Sequence, residues 1–157
     1  MHTITDHNPE NRKRHGEHII TSLTYIAKKT ERNSGVGFTR ALEHWRRYFE
    51  ENDITSALIV NDNYFIQNIQ GSRPAINRAL AKIIDEYLDI LPHVVEIKEI
   101  EVRTWDGYLL KHLTSSAADE EYTLKSFSAG SDYNPYLMTS AQIESFLKAI
   151  FEERDLK

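Results

Sequence analysis

Residues 54–71 read Ile-Thr-Ser-Ala-Leu-Ile-Val-Asn-Asp-Asn-Tyr-Phe-Ile-Gln-Asn-Ile-Gln-Gly, and their reading decides the fold. Two apolar, β-branched runs, 54–60 and 64–69, flank the polar turn Asn61-Asp62-Asn63, which predicts two antiparallel neighbouring strands. Upstream, Phe38, Ala41, Leu42, Trp45, Tyr48 and Phe49 recur at three-and-four spacing, predicting a helix from about 38 to 51. The turn Ser34-Gly35-Val36-Gly37 precedes that helix and Asn52-Asp53 ends it. Ahead of it, the β-branched and aromatic run 19–26 predicts a first strand, stopped by Lys28, Lys29 and Thr30.

Downstream, Gly71-Ser72-Arg73-Pro74 supplies a helix cap and an early-turn proline. Ile76, Leu80, Ile83, Ile84, Tyr87 and Leu88 then mark a second helix that closes before Pro92. Residues 94–103 and 105–113 read as two further strands, the second meeting the first across Asp106-Gly107. Residues 114–134 are polar and loop-like, and Ile143, Phe146, Leu147 and Ile150 stripe a final helix over 140–153.

The order β-α-β-β-α-β-β with a trailing helix is α+β, a ferredoxin-like split βαβ sheet. Two helices are expected on one face, strand one between other strands, and a C-terminal helical extension on the opposite face. Residues 1–18, with the basic cluster Arg12, Lys13 and Arg14, are expected to be a flexible polar tail, 19–113 the domain, and 114–157 a C-terminal loop and helix.

Composition narrows the chemistry. The 157 residues include no cysteine, which excludes disulfides, thiolate metal sites and thiol nucleophiles. A net charge of -5 speaks against nucleic-acid binding. No apolar run approaches the roughly 20 residues that span a bilayer, and the charged, His-rich start is no signal peptide, so a cytoplasmic chain off the membrane is expected. His2, His7, His15 and His18 lie in or beside the tail, while His44, His93 and His112 fall in separate elements, so no metal site is expected. Gly35-Val36-Gly37 lacks the third glycine and the Lys-Ser/Thr of phosphate-binding loops. No Ser-His-Asp set or His-Glu-x-x-His helix appears, and no enzyme class is assigned.

One polar residue stands out. Gln67 alternates with Phe65 and Ile69, so the three share a face. If a helix covers that face, the amide is buried and requires partners; if the face is open, Phe65 is exposed and Gln67 is an ordinary surface residue. The pattern leaves both readings open. Tyr25 in strand one carries a hydroxyl that would pair with a buried Gln67 if the two strands are neighbours.

These blocks resemble the BLUF family of flavin-based blue-light sensors. Ile54-Thr55-Ser56-Ala57-Leu58 and Phe65-Ile66-Gln67-Asn68-Ile69-Gln70-Gly71 are similar to the family's Ile-Thr-Gly-x-Leu and Phe-x-Gln-x-Leu-Glu-Gly. Leu23-Thr24-Tyr25-Ile26-Ala27 resembles its first strand, and 105–110 its Phe-x-x-Trp-x-Met segment. Tyr133-Asn134-Pro135-Tyr136 and the helix after it resemble C-terminal extensions of bacterial members.

The resemblance implies FAD held non-covalently between the two helices, Tyr25 giving an electron and a proton to the excited flavin, and Gln67 changing its hydrogen bonds. The cofactor-binding set it implies is Tyr25, Trp45, Tyr48, Phe49, Leu58, Phe65, Gln67 and Leu110. Output is expected through 105–153 to a separate downstream protein, with a homodimer formed through the sheet or final helix.

The chain also departs from the family. Phe49 stands at the flavin-bonding asparagine and Tyr48 at the polar residue before it. Leu88 and Asp89 stand at an arginine and histidine, Tyr108 and Leu110 at the last-strand Trp and Met, and Ser56 at a usual glycine. Losing two or three polar contacts at about 1 to 1.5 kcal/mol each weakens flavin binding roughly a hundredfold. The alternative expectation is therefore a flavin-free interaction or regulatory module whose pocket is filled by aromatic side chains, Phe49 among them.

Overall fold

The computed structural model describes residues 15–29, 35–86, 91–113 and 134–152. The residues named above within 1–14, 30–34, 87–90, 114–133 and 153–157, including Thr30, Ser34, Leu88, Asp89 and Tyr133, lie outside them. The elements are β1 (Ile20–Lys28), α1 (Gly35–Glu51), β2 (Thr55–Val60), β3 (Tyr64–Ser72), α2 (Arg73–Glu86), β4 (His93–Ile100), β5 (Tyr108–His112), a 3-10 turn (Pro135–Leu137) and α3 (Ser140–Glu152).

Local chemistry sets most boundaries. Asn61 Oδ1 accepts from the backbone N–H groups of Asn63 and Tyr64, at 2.8 and 2.6 Å, and so turns β2 into β3. Asn52 Nδ2 donates to the Tyr48 carbonyl at 2.8 Å, and Asp53 takes φ 54°, a left-handed residue that stops α1. Ser72 Oγ accepts from Ala75 N at 3.3 Å to cap α2. Thr139 and Gln142 exchange side-chain to backbone bonds at 2.8 and 3.2 Å, a capping box that starts α3.

The sheet order is β4-β1-β3-β2-β5. β1 pairs antiparallel with β3 and β4, β3 antiparallel with β2, and β2 parallel with β5. Strand one therefore lies inside the sheet, as the split βαβ order predicts. The two halves of the core occupy opposite faces. Leu23, Ala27, Leu58 and Ile69 pack under α1 and α2 with Trp45, Phe49, Ile76 and Ile83. Ile26, Ala57, Ile59 and Ile66 pack on α3 with Ile143, Phe146, Leu147 and Ile150.

One expectation is corrected. β4 and β5 do not meet across Asp106-Gly107; they form opposite edges of the sheet, and both are shorter than the runs 94–103 and 105–113. The link 101–107 crosses beneath the strand ends instead. Arg103 donates to Asp53 Oδ2 at 3.1 Å, Thr104 N to Gln70 Oε1 at 2.7 Å, and Ser56 N to the Gly107 carbonyl at 2.9 Å. These bonds deliver β5 to the free edge of β2.

Candidate functional site

The cross-strand register gathers one row of side chains over all five strands: Val94, Tyr25, Gln67, Leu58 and Leu110 are successive partners from β4 to β5. Alternation turns this row to the face covered by α1 and α2. Gln67 is thus buried, 4% exposed, which settles the choice its sequence neighbours leave open. Tyr25 Oη donates to Gln67 Oε1 at 2.5 Å. That is the side-chain hydrogen bond the structure gives Gln67; its NH2 group meets no acceptor among the described residues.

A cleft between α1 and α2 ends on this pair. Tyr25, Leu58, Phe65, Gln67 and Tyr108 form its floor, Phe38, Ala41, Leu42 and Trp45 one wall, and Ile83 the other. Its cavity volume is about 60 Å³, room for a few waters. The Phe38 and Phe65 rings meet at 5.5 Å between centroids.

Two lysines sit over aromatic rings of α1. Lys29 Nζ lies 5.1 Å from the centroid of Phe38, and Lys82 Nζ lies 5.1 Å from Tyr48 and 6.0 Å from Trp45. The hydrogen bond that Lys82 donates to the Glu86 carboxylate holds it above the ordinary lysine range. The cleft therefore has a sheet floor bearing polar groups, apolar helix walls and cations beside the walls.

Of the eight residues expected to hold a cofactor, Tyr25, Trp45, Leu58, Phe65 and Gln67 line the cleft. Tyr48, Phe49 and Leu110 do not. Phe49 is fully buried below it, with its ring 5.5 Å from Trp45 and 5.9 Å from Tyr108. Tyr48 packs edge-on against Trp45 at 5.5 Å, and Leu110 lies in the same row as Gln67 but out on β5. Phe38, Trp45, Phe65 and Tyr108 add their rings to the lining. Ile83 was not singled out, although its place on the apolar stripe of α2 marks it as inward-facing. Ser56, at 0% exposure and on the same sheet face as Leu58, carries a hydroxyl with no hydrogen-bond partner among the described residues.

The fold and parts of the chain match known proteins. A structure described as BlsA in its photo-activated state aligns at TM-score 0.68 and 20% identity over 83% of this chain and 93% of its own. BlsA in its ground state aligns at 0.62 and 19%, over 82% and 85%. A bacterial light-regulated adenylyl cyclase aligns at 0.55 and 17% over 87% of this chain, which spans only 35% of the cyclase chain. No curated protein matches. The family model of sensors of blue light using FAD matches residues 20–111, more than half the chain. Floor, walls and family match converge, and this chain belongs to the BLUF family.

Proposed function

We propose that the cleft binds a flavin, FAD by the family's description, and that the chain senses blue light through Tyr25 and Gln67. One observation carries the reading: a buried amide aimed into an apolar cleft has its acceptor end on Tyr25 and, among the described residues, no partner for its donor end. Buried polar groups are nearly always paired, so this donor calls for an acceptor from a ligand. A flat heteroaromatic ring with carbonyl and ring-nitrogen acceptors, lying between apolar walls, answers that call. Phe38 and Leu42, only partly buried, are the side chains free to turn aside and widen the cavity.

A bound flavin would supply the visible absorption that the chain's own side chains lack. The protein's contribution is at Gln67. Its amide has a donor end and an acceptor end, so a half-turn exchanges which end meets Tyr25 and which faces the cleft. The Tyr25 hydroxyl holds Oε1 in the resting arrangement, and that hold would be released were a bound flavin to take the proton. In this reading the chain catalyses no reaction. It acts in the cytoplasm, as a homo-oligomer, and hands its state to a separate downstream protein.

A flavin-free interaction module is the second reading. It is favoured by the helix walls: among the cleft-lining residues, α1 and α2 contribute no hydrogen-bonding side chain beyond the Trp45 indole. Calorimetric titration with FAD in the dark separates the two. The sensor reading predicts one site per chain, weakened about tenfold by Gln67→Leu through the loss of one charge-free hydrogen bond. An absence of heat at millimolar FAD would favour the module.

A further inference from the structure

Directly behind the Tyr25–Gln67 pair, on the α3 face of the sheet, lies a cluster of buried polar side chains that lines a cavity of about 180 Å³ together with Glu96, Lys98, Glu144 and Lys148. Thr24 precedes Tyr25, Asn68 follows Gln67, and the two are register partners. Asn68 Nδ2 donates to Thr24 Oγ1 and Ser22 Oγ at 2.8 Å each, and to the Leu23 carbonyl at 3.3 Å. Its Oδ1 accepts from Trp105 Nε1 at 2.8 Å and from Gln70 Nε2 at 2.9 Å. Gln70 Nε2 also donates to Thr104 Oγ1 at 3.1 Å, and Gln70 Oε1 accepts from Thr104 N at 2.7 Å.

One amide thus ties together both strands of the switch pair and the link that carries β5. Trp105 extends the chain of contacts: 5% exposed, it meets Phe151 of α3 edge-on at 5.8 Å between centroids. The neighbouring positions on this face, Ile26, Ala57, Ile59 and Ile66, are apolar, so burying the sheet against α3 does not by itself require an amide here. The β1–β4 pairing also shifts register between Thr24 and Tyr25, which interrupts the regular β4 ladder at this point.

We infer that Asn68 and Trp105 are positioning residues that couple the Tyr25–Gln67 pair to α3, a role that rests on the switch reading above. Hydrogen bonds weaken steeply with misalignment, so a small shift of β3 against β1 at Gln67 alters the Asn68 bonds to Thr24 and Ser22. Asn68 Nδ2 and Oδ1 belong to one rigid amide, so a shift that turns it is passed on to the Trp105 indole and through that ring to Phe151. The indole N–H is the joint: Trp105→Phe keeps a ring against Phe151 and removes the bond to Asn68.

The test uses the full chain labelled with nitrogen-15. Without flavin, Tyr25→Phe should move the Trp105 indole N–H resonance on the far face of the sheet. With FAD bound, light should change backbone amide exchange in 140–152 by about fivefold, the effect of perturbing one buried hydrogen bond. Trp105→Phe should keep the light-induced absorption shift and reduce that exchange difference below about twofold, and Thr24→Val, nearly isosteric, should do the same if Trp105→Phe fails to fold. An unmoved indole resonance in Tyr25→Phe, or a full light-dark exchange difference surviving in Trp105→Phe or Thr24→Val, overturns the coupling. A wild-type protein that binds FAD but shows no absorption shift overturns the switch reading instead, and the flavin-free resonance comparison still decides the coupling.

Discussion

Tyr25→Phe combined with Gln67→Leu in a double-mutant cycle measures the bond on which the site is built. Tyr25→Phe removes the hydroxyl that Gln67 Oε1 accepts at 2.5 Å and keeps the ring in place. An unpaired buried acceptor costs about 1–3 kcal/mol, and the adjoining cleft lets water reach this one, which puts the loss near 1 kcal/mol. In the Gln67→Leu background the same substitution leaves no amide unpaired, so its cost falls and the coupling energy comes to about 1 kcal/mol. Urea unfolding of the flavin-free protein, followed by tryptophan fluorescence, reads all four corners, with midpoints shifting at constant slope. Costs that add to within about 0.3 kcal/mol would refute a direct bond between these side chains.

Four other outcomes follow from the geometry. Ser56→Ala and Thr21→Val each remove a buried hydroxyl without a partner and should raise stability by about 1 kcal/mol, a rise of a few degrees in melting temperature by calorimetry. Phe49→Asn buries an amide where a fully enclosed ring packs against Trp45 and Tyr108. It should cost about 3 kcal/mol or more in chemical unfolding and leave flavin affinity no higher, because position 49 does not line the cleft. Burial pushes the Glu144 carboxyl up, but hydrogen bonds from Lys98 and Lys148 outweigh it and hold it below its usual 4.5. A depressed carboxyl stabilises the fold above its unfolded pKa and loses that effect as pH falls through the folded value. The tie between β4 and α3 should therefore weaken below about pH 4.5, and Lys98→Met should flatten this part of a stability-versus-pH curve by only a few tenths of a kcal/mol, because the pair is well exposed.

The element order was legible because each helix shows one apolar stripe and each turn its own side-chain signature, as at Asn61 and Ser72. The face of Gln67 was not. β3 is the central strand and is buried on both sides, so Phe65 and Ile66 are equally apolar and alternation carries no mark of which side holds the cleft. The partner of β5 was hidden for another reason. Its parallel pairing with β2 depends on the link 101–107 passing under the strand ends, and the bonds that guide it join residues 34 to 50 positions apart. A local Asp106-Gly107 turn resembles a hairpin whether or not its flanking strands pair.

The site was legible in part. Tyr25 and Gln67 follow from the motif spacing and from the split βαβ order together. Phe49 shows how motif position and geometry diverge, since a ring at the place of a polar residue sinks into the core instead of facing the cleft. In β3 the cluster around Asn68 showed only as Asn68 and Gln70, two further polar residues beside Gln67. Their meaning depends on Trp105, which pattern within the strand does not reveal.

The most direct test of the central claim is the visible absorption of the FAD-loaded chain, recorded in the dark, under blue light and during return to darkness. The account predicts a bound flavin band that shifts to the red, relaxes in the dark, and in Tyr25→Phe stays bound without shifting. A bound band indifferent to light, or a shift that survives in Tyr25→Phe, would contradict it.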